Sequence, residues 1–162
     1  TRRYRLQDSP YIYTNGIHGA HIEVDVDTGW IKHLKHWVVE DCGRIINPQL
    51  ADEQIRGGCV QGLGGALYEH CIYDDYGQLQ NGTMADYVTP MAFEMPDIEV
   101  GHVQTPTSES ELGAKGAGES GTGAAPGVMM NAVNDAIKPL TKGRVKEQPI
   151  TPEIVLKALG KI

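Results

Sequence analysis

Glu119 is the residue of this sequence best placed to do chemistry. It sits in the middle of Gly113-Ala-Lys-Gly-Ala-Gly-Glu-Ser-Gly-Thr-Gly-Ala-Ala-Pro-Gly127, just ahead of the apolar run Val128-Met-Met-Asn-Ala-Val-Asn-Asp-Ala-Ile137. Glycines let a backbone turn with positive φ and approach a ligand closely. A helix start offers unpaired N–H groups to an anion. The pattern predicts a ligand-cradling loop, with a carboxylate held by backbone donors beside the ligand and a helix from Val128. The alternative is a tight structural loop with Glu119 as helix cap. Gly116, Gly118 and Gly121 also satisfy G-x-G-x-x-G, but a dinucleotide site is disfavoured. Residues 105–111 are polar where a hydrophobic strand should lead in, and the nearest later acid, Asp135, falls within the helix.

The elements that must position this loop can be read from spacing. His21-Ile-Glu-Val-Asp-Val-Asp27 alternates like a half-buried strand, Asp27-Thr-Gly29 makes a turn, and residues 30–40 return as the partner strand. Asn47 can cap a helix with Pro48 at its first position, running to about His70. Gly58, Gly62 and Gly65 share one face of that helix, which invites close approach of a second backbone or of a large flat ligand. A turn at residues 73–77, a short extended piece at 84–87 and a strand at 98–104 follow. Thr151, Pro152 and Gly160 frame a last helix. Helices mixed with mostly antiparallel strands, without a strict βαβ rhythm, define an α+β class. The organisation is a polar lead-in, residues 1–18, and a domain, residues 19–162. The start reads as processed or cut from something longer, and the end as native.

Other candidates read as structural. His18 with His21, and His33 with His36, have spacings that suggest metal ligands. Residues three apart on a strand point to opposite faces, so these are expected to be surface or hairpin histidines. Cys42 is expected as a small buried residue at a strand end rather than a reactive thiol. Ser108 and Ser120 have no placed histidine partner, which disfavours a serine hydrolase.

Composition narrows the class. With 162 residues and 40% hydrophobic content the chain can bury a core. A formal charge of −7 and the lack of a basic aromatic stripe argue against nucleic acid. No apolar run is long enough to span a bilayer and no signal-peptide pattern opens the chain. Cys42, Cys59 and Cys71 have no C-x-x-C spacing, which suits reduced thiols in a cytoplasmic setting.

Three motifs occur in order: Asp41-Cys-Gly-Arg-Ile-Ile-Asn-Pro48, then Gln54-Ile-Arg-Gly-Gly-Cys-Val-Gln-Gly-Leu-Gly-Gly-Ala-Leu-Tyr-Glu69, then Gly113-Ala-Lys-Gly-Ala-Gly-Glu119. Together, over residues 19–157, they closely resemble the C-terminal end of the molybdenum-binding subunit of the molybdenum hydroxylases. This family includes xanthine dehydrogenase, aldehyde oxidase and the carbon monoxide dehydrogenase large subunit. The resemblance implies oxidation of an aldehyde or N-heterocycle with oxygen from water, at a molybdenum–molybdopterin cofactor. It implies that Glu119 is the catalytic base, that Gln54 touches the molybdopterin near the metal, and that Lys115, Gly116, Ala117 and Gly118 line the pterin. In a bacterium the cofactor would carry the cytosine dinucleotide. FAD and [2Fe-2S] clusters, and the rest of the molybdenum-binding sequence, would lie on other domains or chains. The chain alone would then be inactive, one wall of an active site. The alternative is a non-catalytic remnant or assembly domain, against which stands the joint retention of Glu119, Lys115 and Gln54.

Overall fold

The computed structural model describes residues 11–162. Residues 1–10, the larger part of the expected lead-in, lie outside the described residues. The alternating segment and its partner form an antiparallel pair, β1 (Asn15–Val24) and β2 (Ile31–Asp41), with β1 starting earlier than the alternation suggested. Asp25 shapes the turn between them, its Oδ1 accepting from the Asp27 N–H at 2.9 Å. The strand expected near residue 98 is β3 (Ile98–His102), and it pairs with the other edge of β2 in parallel. The sheet is therefore mixed, in the order β1-β2-β3, and the class is α+β.

The helices start where their caps predict, with one exception. In α1 (Pro48–Leu67), the Asn47 side chain accepts from the Leu50 N–H at 3.2 Å. It ends three residues before the expected His70, where Tyr68 and Glu69 both donate to the Gly64 carbonyl. Helix α3 (Pro152–Leu159) has Thr151 as its N-cap and Gly160, in the left-handed region at φ 71°, as its C-cap. Helix α2 (Ser120–Ile137) is the exception. It begins eight residues before Val128 and absorbs half of the glycine-rich loop, including Pro126. Packing explains the early start: a Cβ on Gly121 would come within 2.3 Å of the Ile55 carbonyl of α1. Contact between the two helices requires glycine here and outweighs its low helix propensity. The extended piece expected at residues 84–87 is instead a turn, closed by the Asp86 and Tyr87 N–H groups on the Thr83 carbonyl.

The glycine face of α1 is divided. Gly58 and Gly62 meet the first turns of α2, whereas Gly65 faces open space among the described residues. Leu63 joins Ala125, Met129, Val133 and Ile137 of α2 in one buried cluster, closed by Val145, Ile150 and Val155. A second cluster, of Val38, Cys42, Ile55, Cys59 and Ile98, fixes α1 to the sheet. Cys42 is buried after the end of β2, as expected.

The histidines depart from expectation. His36 is fully buried, the His18 side chain is 1% exposed, and His33 is nearly buried; of these four, His21 alone faces out. His33 joins His36 through a β-bulge. The β1–β2 register shifts between His21 and Ile22, which pair with Lys35 and His33, leaving Leu34 unpaired. One extra residue turns the i, i+3 pair His33 and His36 onto the same face.

Candidate functional site

The glycine-rich segment is held against the end of β2 by Asp41. Its Oδ1 accepts from the Gly43 N–H at 2.9 Å and the Thr105 N–H at 3.0 Å, and its Oδ2 lies 3.1 Å from the Lys115 Nζ. The Thr105 hydroxyl and N–H, then the Gly43 N–H and the Lys115 ammonium, hold its carboxyl far below the ordinary carboxylate range. The Lys115 N–H donates to the Cys42 carbonyl at 2.8 Å, beside an isolated antiparallel bridge between Gly43 and Ala114. Gly43 has φ 66°, and a Cβ there would fall 2.4 Å from the Gly113 carbonyl oxygen, so the crossing requires glycine.

From this anchor the chain runs through Gly116, Ala117 and Gly118 to Glu119. Gln54, on the first turns of α1, donates from Nε2 to the Gly118 carbonyl at 2.8 Å. The two glycines and Glu119 are exposed. Glu119 occupies the N-cap position of α2, but its side chain makes no capping hydrogen bond. Among the described residues, the expected grip of backbone donors on this carboxylate is absent, and so is the simple capping role. Residues 116–120, with Ile12, Tyr13 and Thr14, line an open depression of about 330 Å³, and the Gly116 N–H donates to the Ile12 carbonyl at 3.5 Å. The Thr14 hydroxyl in turn donates to the Asp41 carbonyl oxygen at 3.0 Å.

The structure thus gathers Gln54, Lys115, Gly116, Ala117, Gly118 and Glu119 at one surface, although they arise from two distant stretches of sequence. Two of the six do not line the depression: the Lys115 head turns toward Asp41, and the Gln54 amide reaches the Gly118 carbonyl. Two contributors went unread in the sequence. Asp41 opens the first motif, and a carboxylate between a strand end and a glycine is a signal for backbone bracing. Residues 12–14 carry no periodicity or motif that singles them out.

Such a surface can hold an acceptor-rich ligand through exposed amides and present one carboxylate to it. Comparison with known proteins bears on what that ligand is. A family model described as "Molybdopterin cofactor-binding domain" matches residues 1–96, which leaves Glu119 and its loop beyond the matched part. The chain is 45% identical over 148 residues to the nicotine 6-hydroxylase large subunit of Paenarthrobacter nicotinovorans, covering 91% of this chain and 18% of that protein. It is 33% identical over 134 residues to the carbon monoxide dehydrogenase large chain of Afipia carboxidovorans, covering 83% of this chain and 17% of that one. Among solved structures, quinoline 2-oxidoreductase from Pseudomonas putida 86 superposes with a TM-score of 0.87 at 40% identity, over 91% of this chain and 19% of that one. The chain therefore spans less than a fifth of the length of these relatives.

Proposed function

This chain belongs to the molybdenum hydroxylases, within their molybdopterin cofactor-binding domain, and from that premise we propose that it supplies the catalytic base and one wall of the cofactor site. The observation that carries the reading is Glu119: exposed, free of any capping bond, and set on a depression floored by the glycine-rich loop.

The residues present fit a molybdopterin. Gly116 and Gly118 leave the backbone accessible to a broad ligand rich in hydrogen-bonding groups. Gln54, fixed by its Nε2 to the loop, keeps an amide oxygen to accept from a pterin N–H. Lys115, paired with Asp41, fixes the loop that would face the pterin. When bound, the cofactor supplies a two-electron oxidation in which water provides the oxygen.

Glu119 accepts the proton of the water-derived hydroxyl on its carboxylate as that oxygen attacks an electron-poor carbon. A general base needs hydrogen-bond reach to the proton it removes, and an unrestrained side chain at the rim of the loop has that freedom. The substrate class proposed is an aldehyde or an aromatic N-heterocycle. The remaining cofactor-binding sequence, with iron–sulfur and flavin modules to carry electrons away, would complete a cytoplasmic enzyme. A bacterial host would supply the cytosine dinucleotide form of the cofactor.

The test is Glu119→Gln in the complete enzyme. The amide keeps the shape and cannot take the proton, so the chemical step should slow by about 10²–10⁴-fold with molybdenum and pterin contents unchanged. Wild-type turnover would remove Glu119 from the mechanism and favour a non-catalytic part for this segment.

A further inference from the structure

Between the sheet and α1, beneath the first turn of α2, lies a buried cluster that the proposed cofactor chemistry does not use. On the inner face of β1 and β2, His18 stands between Glu40 and His36, and Cys59 of α1 closes over them. The His18 and Glu40 side chains are each 1% exposed, and His36 and Cys59 are fully buried. His18 Nδ1 faces His36 Nε2 at 3.0 Å, and one donor atom from each of His18, His36 and Cys59 falls within 4.8 Å of the others. We propose that His18, His36 and Cys59 form a binding site for a zinc-like divalent ion, distinct from the molybdopterin site and holding β1, β2 and α1 together.

The donor set selects the ion. Two imidazoles and one thiolate suit a borderline-soft cation such as zinc, and three protein ligands leave one tetrahedral position for another donor. Hard calcium and magnesium take oxygen ligands and are disfavoured.

Glu40 is the independent observation. Among the described residues, both of its carboxylate oxygens are buried without a hydrogen-bond partner, and His18 Nε2, 3.5 Å away, is likewise unsatisfied. A buried carboxylate needs a compensating charge. Gly16, opposite Glu40 in the β1–β2 ladder, leaves room for it: a Cβ on Gly16 would fall 2.5 Å from the carboxylate. An ion on His18 Nδ1 places the proton of that ring on Nε2, polarised and aimed at Glu40. This is the carboxylate–histidine–metal arrangement that fixes the tautomer of metal-bound histidines. His33 does the same for the second ligand, with its Nε2 3.4 Å from His36 Nδ1. The cluster therefore has ligands and the outer partners that orient them.

The ligand protons balance. A cysteine buried this fully carries its thiol proton until an ion binds. Binding forms the metal–sulfur bond and releases that proton to solvent.

The test is elemental analysis of the full protein from zinc-supplemented cultures, after gel filtration. Stoichiometric zinc is expected in the wild type, independent of molybdenum content, with loss of most of it in Cys59→Ala. Cobalt(II) in its place should give a thiolate-to-cobalt charge-transfer band that Cys59→Ala lacks. X-ray absorption at the zinc edge needs no variant and should show one sulfur at about 2.3 Å. A folded wild type that retains neither ion, a zinc shell without sulfur, or equal zinc in folded Cys59→Ala would each overturn the site.

Discussion

At the scale of single residues, Asp41 matters as much as the proposed base, Glu119, whose loop it holds. Its carboxylate gathers the Gly43 N–H, the Thr105 N–H and the Lys115 ammonium, so it joins the end of β2 to both ends of the segment leading to Glu119. Because these donors favour its charged form, its folded pKa lies below the ordinary 3.8. A depressed carboxylate contributes stability that is fully present above the unfolded-state pKa and is lost as pH falls toward the folded one. That part of the acid sensitivity should begin near pH 4 and be absent from Asp41→Asn. Urea midpoints measured from pH 6 down to pH 2 check it, and parallel curves for the two proteins would mean that the carboxylate is not held as described. Asn keeps one acceptor but presents an amide to Lys115 in place of a carboxylate, so the variant should also weaken cofactor retention in the complete enzyme.

At the scale of elements, α1 and α2 meet through glycine, and the two faces of α1 should answer substitution with opposite signs. A Cβ on Gly62 would lie 2.6 Å from the Thr122 carbonyl oxygen and 2.8 Å from the Ala125 Cβ, both on α2. Gly62→Ala must push the helices apart, at a cost of about 1–3 kcal/mol. Gly65 meets nothing within 4 Å, so in this chain Gly65→Ala should gain up to about 1 kcal/mol from helix propensity. Thermal unfolding of the two variants gives the comparison, and equal shifts would show that the glycine face is not divided as seen. Much of the element pattern was legible in the sequence because it depends on local chemistry. Asn47, Thr151 and Gly160 announce helix ends, and the alternation of residues 21–27 announces β1. The early start of α2 was illegible because the contact with Ile55 and Cys59 is tertiary. That His33 shares the buried face of His36 was equally hidden, since it depends on one unpaired residue, Leu34, in a ladder whose register no local pattern fixes. Of the candidate site, the three motifs gave every proposed cofactor contact, while residues 12–14 came only with the fold.

At the scale of the molecule, the surface looks unfinished. Phe93 is 98% exposed, Met84 78%, Ile17 70% and Met91 65%, and Val88 is more than half exposed. Several of these fall within residues 84–93, a run of turns with little core of its own. Large apolar side chains gathered in this way mark a surface that another chain or domain covers. Relatives of which this chain spans only 18% and 17% fit that reading. The depression beside Glu119 is correspondingly open, lined only by the loop and by residues 12–14 among the described residues. Immobilising a large anionic cofactor costs translational, rotational and side-chain freedom that a few amides and one lysine cannot offset. Expressed alone, the chain should therefore self-associate, carry no molybdenum and oxidise nothing. Adding the rest of the cofactor-binding sequence during assembly, with cofactor available, should restore metal content and activity together. Elemental analysis after gel filtration decides the matter: stoichiometric molybdenum on the isolated chain would mean that this surface, open as it is, holds the cofactor unaided.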